Sequence, residues 1–467
     1  MLQFSDSGPP GSRLGRRDFL RVGTLGLGGL SLADQLRLKA AVTSGNDGIR
    51  DKSVIFLFMH GGPSQFETFD PKMAAPSEIR SVTGEIPTTL PGITFGSTFE
   101  RLSRLAHKFS IVRSFVTGDG VHDVKTVSGK HTLNGNIGSI YSRVAGPMNQ
   151  ETGMPSNITL VPQAVDARAG PRILNFGDIT AAGELGSGYR PFVPGAGDGA
   201  QSDMRLAVPL ERLADRRALL QRLDHWKLGM DYAAGIDSLN GLQEKAFSVL
   251  RGGVSEAFDL SKEDPRTIER YDTSRLLPKH KISTDWKNRE HYADNALTLG
   301  RLLLLARRLC ERGAGFVTVT TSFVWDMHAD PNNAPVSTGM EYVGRPFDHA
   351  VSAFIEDVEA RGLRDKILLV CCGEMGRTPR ITAKGGRDHW GNLAPLLLYG
   401  GGLRMGQVIG RSSRDGGEPA DEPVTIPDLV STIMYTLMDV GKVRLQEGLP
   451  TNLLNLLNRG TPIRGLV

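Results

Sequence analysis

Between residues 315 and 440 the chain alternates short, almost wholly apolar runs with longer amphipathic ones. GFVTVTTSF (315–323), KILLVCCG (366–373) and APLLLYG (394–400) have the length and apolar character of strands. They leave no polar face, so each must be covered on both sides. PFDHAVSAFIEDVEARG (346–362) and IPDLVSTIMYTLMDV (426–440) carry apolar residues at helical spacing. The first stops at Gly362 and the second opens with a proline. SVIFLFM (53–59), FSIVRSF (109–115) and NITLV (157–161) add further strands. Such alternation predicts an α/β fold: a doubly wound, mostly parallel sheet with helices on both faces. Ligands of such sheets bind beyond the carboxyl ends of the strands, so the chemistry is expected there.

The 467 residues fit one large domain over 50–467. An irregular and helical insertion is expected at about 141–290, because residues 141–205 are rich in Gly, Pro and polar turns. Helices are expected at 98–108, 212–226, 241–253 and 293–313, and a short one near His122 within 121–135. Cys310, Cys371 and Cys372 lie in apolar surroundings without zinc-type spacing and read as small buried hydrophobes.

The net charge of +4 is concentrated at one end. Residues 1–50 hold seven Lys/Arg against four Asp/Glu, which leaves about +1 for the rest. That excludes the concentrated basic surface of a nucleic-acid binder. GRRDFLRVGTLGLGGLSL pairs Arg16 and Arg17 ahead of Phe19, Leu20 and a Gly-rich apolar stretch. It resembles a twin-arginine export signal, which places the chain in the periplasm or outside the cell and sets residues 1–40 apart from the fold. The apolar stretch is too short for a bilayer of ~30 Å, and no later segment has the length of a transmembrane span.

Ten histidines are present, and four of them follow strands. His60 ends the first strand, and His122 follows the second after VTGDG. His328 lies in WDMHADPNN and His389 in GGRDHWGN. Asp326, Glu374 and Asp388 accompany them. Imidazoles mixed with carboxylates suit one divalent metal such as Zn, Mn or Fe. Asp326 and His328 are alternate residues, so on an extended segment both point the same way. Asp388 and His389 are adjacent and both reach a metal only from an irregular loop, which the flanking glycines permit. Arg377, in GEMGRTP, can clamp a phosphate or sulfate oxygen or neutralise Glu374. His107, His225, His280, His291 and His349 read as structural or solvated. HGGPS lacks the G-x-S-x-G of a nucleophile elbow.

Ten segments in order carry a resemblance: RRDFLRVG, FLFMHGGPSQFETFDPK, IVRSF, SEAFDLSKEDPRTIERY, LLLARRLCERGAGFVTV, WDMH, CCGEMGRTP, GRDHW, GGLRMGQVIG and PVTIPDLVSTI. They resemble an exported bacterial family known as domain of unknown function 1501, within the alkaline-phosphatase-like, sulfatase-related superfamily. The resemblance implies a metal site at the strand carboxyl edge. Asp326, His328 and His389 match one metal's ligands. A second metal's positions hold His60 and Glu374-Met375. The nucleophile region, 119–132, holds His122, Asp123, Thr126 and Ser128 without a Cys-x-Pro-x-Arg signature.

Two functions follow as expectations. One is an exported metal-dependent hydrolase of small anionic esters or of sulfated or phosphorylated glycans. His60, Asp326, His328, Glu374, Asp388 and His389 would hold one metal, with His122 as base or nucleophile and Arg377 on the anion. The other is a non-catalytic binding or assembly protein that keeps the fold.

Overall fold

The computed structural model describes residues 48–195 and 254–467. The export-signal stretch and the helices expected at 212–226 and 241–253 lie outside the described residues. In chain order the strands are β1 (Ser53–Phe58), β2 (Glu85–Pro87), β3 (Thr94–Gly96), β4 (Phe109–Val112), β5 (Asn157–Leu160), β6 (Phe316–Thr320), β7 (Ile367–Cys372), β8 (Gly376–Arg377), β9 (His389–Trp390), β10 (Leu396–Gly400) and β11 (Val408–Ile409). The helices are α1 (Glu100–Leu105), α2 (Ile137–Ala145), α3 (Val254–Phe258), α4 (Pro265–Tyr271), α5 (Arg289–Glu311), α6 (Val336–Ala360), α7 (Ile426–Leu437), α8 (Val440–Val443) and α9 (Thr451–Leu456).

The main sheet has seven strands in the order β11-β4-β10-β7-β1-β6-β5. All run parallel except β10, which is antiparallel to both β7 and β4. Every residue of β1, β6, β7 and β10 is buried, as their unbroken apolar runs require. Alternation sorts these residues onto two cores. Ile55, Leu57, Leu369, Cys371, Val317 and Val319 face α1, α3, α4, α5 and α6. Val54, Phe56, Phe58, Leu368, Val370 and Cys372 face α2, α7, α8 and α9. Each fully buried Leu, Val or Phe contributes about 1.5–3 kcal/mol. The fold is the expected α/β doubly wound sheet. Cys310, Cys371 and Cys372 are free and buried.

One strand departs from the parallel majority, and three expectations are corrected. APLLLYG returns antiparallel, because residues 373–395 carry no helix and the strand pairs directly with its predecessor. The helix expected from Pro346 starts ten residues earlier, behind Pro335, and runs through Pro346. Val336, Met340, Val343, Phe347, Val351, Phe354 and Val358 bury one stripe along it, which offsets the bond Pro346 cannot make. Residues 121–129 form no helix. The Asp119 and Asp123 carboxylates accept the backbone N–H groups two residues on, from Val121 and Lys125 at 3.0 and 2.9 Å, and hold the chain in turns. The insertion at 141–290 is in part core: β5 is an edge strand of the main sheet, and Tyr141 and Val144 are buried in the core on one face of that sheet.

Because β10 is antiparallel, its amino end lies on the same edge as the carboxyl ends of its neighbours. The chain from β7 to β10 therefore never leaves that edge. The loops after β1, β4, β6 and β7 meet it there. Among the described residues no helix is long and apolar enough to cross a membrane.

Candidate metal centre

Three stretches of chain bring in the four ligand-type side chains. Asp326 and His328 follow β6, and His122 follows β4. His389 lies on β9, whose two residues pair antiparallel with β8, setting Arg377 opposite His389. Glycine lets these loops touch. A Cβ on Gly386 would fall 2.0 Å from the His328 carbonyl oxygen, and one on Gly391 within 2.4 Å of the Asp119 backbone. The Thr117 and Gly118 N–H groups both donate to the Gly391 carbonyl at 3.0 Å. The glycines flanking Asp388 and His389 are thus sites of close backbone approach.

One ligand atom from each of His122, Asp326, His328 and His389 lies within 4.8 Å of the others. Asp326 Oδ1 is the hub, 2.8 Å from His328 Nε2, 3.3 Å from His122 Nε2 and 3.5 Å from His389 Nε2. The His328 and His389 Nε2 atoms are 2.7 Å apart. Three imidazoles and one carboxylate are a fitting donor set for a borderline divalent metal, so the residues present suit zinc, manganese or iron.

The surroundings fix these donors. Glu374 is fully buried and accepts from the Gly61 N–H with both oxygens, at 3.0 and 3.2 Å. Its Oε1 also accepts Nδ1–H of His122 at 2.9 Å, which turns His122 Nε2 toward Asp326. Asp326 Oδ2 accepts from Asn333 Nδ2 at 3.1 Å, and Arg377 Nη2 pairs with Oδ1 at 2.7 Å. Burial alone would raise the Asp326 carboxyl. Bonds from His122, His328 and His389, with the Arg377 guanidinium, hold it well below the usual carboxylate range. Burial likewise works against protonation of His122, but Asp326 and Glu374 overcome it and raise its pKa.

The other expected site residues lie elsewhere. His60 is outside the cluster: its ring stacks on Phe58 at 5.1 Å and meets Phe323 edge-on at 4.9 Å. The chain has turned at Gly61 before the edge is reached, and burial lowers the His60 pKa. Glu374 stands behind His122 rather than among the four donors. Asp388 faces out, as a neighbour of His389 on β9 must. Its side chain is 67% exposed and touches only the far nitrogen of His328, Nδ1, at 3.4 Å. Arg377 is buried, with every nitrogen engaged: Nε by the Gly62 carbonyl at 2.7 Å, Nη1 by that of Arg387 at 3.1 Å, and Nη2 by that of Gly61 besides Asp326. It braces Asp326 and the loops instead of presenting a clamp. His122 joins the donors rather than standing apart as a base.

Three residues at the site had no sequence signal: Asn333, Phe176 and Phe323. The two rings stack at 4.7 Å and 25° and flank His122, at 5.1 and 4.8 Å. Phe176 comes from the Gly/Pro-rich stretch, where no periodicity marks it.

The family model described as a protein of unknown function (DUF1501) matches residues 51–453. The chain belongs to the DUF1501 family. No curated protein matches it. Solved structures similar to this DUF1501 chain include the PsFucS1 sulfatase from Pseudoalteromonas sp., at 12% identity and TM-score 0.35, covering 95% of this chain and 77% of that one. The lipoteichoic acid synthase LtaP from Listeria monocytogenes gives 11% and 0.29, covering 93% and 81%. The phosphonate monoester hydrolase SpPMH from Silicibacter pomeroyi gives 11% and 0.28, covering 88% and 76%. Likeness at this level says nothing about substrate.

Proposed function

We propose that this chain is an exported metal-dependent hydrolase of phosphate or sulfate esters, acting on small anionic esters or on sulfated or phosphorylated glycans in the periplasm or outside the cell. The observation that carries the reading is the convergence of His122, Asp326, His328 and His389 at the carboxyl edge of a parallel sheet. The order of sequence segments and the twin-arginine-like leader support it. A divalent cation, if bound there, would supply Lewis acidity toward an ester oxygen and would lower the pKa of water at the site to ~7. Asp326 and the three imidazoles would hold it. Glu374 keeps His122 in one tautomer and orientation. Arg377 keeps Asp326 ionised and in place. The Phe176–Phe323 pair packs against the His122 ring.

The test is a panel of phosphate and sulfate monoesters and diesters assayed with metal-replete protein. Turnover of at least one ester, lost in Asp326→Asn, is the expected result. No turnover of any ester by metal-replete protein overturns it.

One observation favours a second reading, a non-catalytic binding or assembly protein. The arginine best placed to hold an anion, Arg377, has its nitrogens committed to carbonyl oxygens, Asp326 and the Nε2 of His328. On that reading the same protein binds metal and turns over nothing.

A further inference from the structure

Phe176 is half-buried, and one of its contacts is the ring of a candidate metal ligand, His122. It sits in a turn at 174–177, closed by the Gly177 N–H to the Leu174 carbonyl at 3.1 Å. That turn leans on the His122 loop: a Cβ on Gly177 would lie 2.8 Å from Val124 Cγ2. Leu174, in the same turn, is 52% exposed, and Val121, immediately before His122, is 60% exposed. Among the described residues only Leu445 joins these two as a large hydrophobic side chain more than half exposed. Leu174 shares the Phe176 turn, and Val121 shares with His122 the loop on which that turn leans. Single exposed hydrophobes need no explanation, but a group beside a polar centre does.

We infer that Phe176, Leu174 and Val121 form an apolar ring-binding subsite at the mouth of the centre, and that the substrate carries a ring next to its ester group. This rests on the ester-hydrolase reading. Phe176 is already stacked on Phe323, so its plane is fixed before a ligand arrives and little ordering entropy is lost on binding. The occupant is a flat or alicyclic ring with a C–H or π face, either an aryl group or the apolar face of a sugar. The anionic head would reach the centre while the ring lies over Phe176. The alternative is that Phe176 only shields His122, in which case its removal affects ring-bearing and ringless ligands alike.

The experiment is calorimetric titration of metal-replete full-length protein with methylphosphonate, phenylphosphonate and glucose 1-phosphate, with metal content measured on the same samples. At least one ring-bearing probe should bind about tenfold tighter than methylphosphonate. Which one gains identifies the ring as aryl or sugar. Phe176→Ala should bring that ratio close to one, and Phe176→Leu should leave it intermediate. A ratio near one in the wild type, or a ratio unchanged in both variants, overturns the subsite alone. Failure of all three probes to bind metal-replete protein overturns the subsite together with the ester-hydrolase reading.

Discussion

Glu374 Oε1 accepts a hydrogen bond from His122 Nδ1 at 2.9 Å while both of its oxygens accept the Gly61 N–H. One buried carboxylate thereby joins the loops after β1, β4 and β7 around Asp326, which comes from β6. A carboxylate behind a ligand histidine fixes its tautomer and raises its basicity.

Glu374→Gln should therefore weaken metal binding about 10- to 100-fold while the protein stays folded. Competition with a chelator of known affinity measures this. Unchanged affinity would mean that Glu374 does not act through His122.

Gly61 carries a left-handed φ of 112°, and a Cβ there would fall 2.7 Å from the Asp326 nitrogen. Gly61→Ala should cost about 1–3 kcal/mol from backbone strain and push Asp326 off the hub position. Urea denaturation together with metal stoichiometry should register both losses. Full stability would contradict the packing.

Asp348 is buried and accepts N–H groups from Leu102 and Arg101 at 2.7 and 3.0 Å, capping α1 from α6. Burial pushes its pKa up to about 6 in spite of these bonds. The unfolded chain releases this proton near pH ~4, so the folded state holds it longer. Stability from this group is fully present below pH ~4 and falls as pH rises to about 6, by about 3 kcal/mol in total. Melting temperatures of wild type and Asp348→Asn between pH 4 and 7 should show the wild type losing ground to the variant. Parallel curves would contradict this.

Arg307 is 1% exposed and pairs with Glu263 at 2.8 Å, Glu311 at 2.6 Å and Asp357 at 2.9 Å. Arg307→Ala removes the buried guanidinium that these carboxylates share, leaving them Arg308 and Arg361, and should cost about 3 kcal/mol. Chemical denaturation is the check, and a loss below 1 kcal/mol would show that the network relaxes into water.

What was legible in the sequence followed local rules. Fully apolar runs became doubly covered strands, and Asp326 and His328, two residues apart, meet at one point. What was not legible depended on tertiary geometry. The direction of β10 follows from pairing with β7 across a connection without a helix. Whether Asp388 or His389 faces inward depends on the two-residue ladder with Arg377, which no hydrophobic pattern announces. His60 sits at the strand end that the α/β rule points to, but the turn at Gly61 puts its ring among Phe58 and Phe323. Arg377 was open to two roles, clamping an anion or neutralising Glu374, and its pairing with Asp326 and backbone carbonyls cannot be read from one chain segment. Phe176 reaches His122 from a loop with no regular pattern.

The central claim is that His122, Asp326, His328 and His389 hold one divalent metal. Elemental analysis of purified wild-type and Asp326→Asn protein, each dialysed against zinc, manganese or iron(II), tests it most directly. About one equivalent of one of these metals per wild-type chain, lost in the folded variant, is the predicted result. No metal on the wild type, or the same content in both proteins, would contradict it.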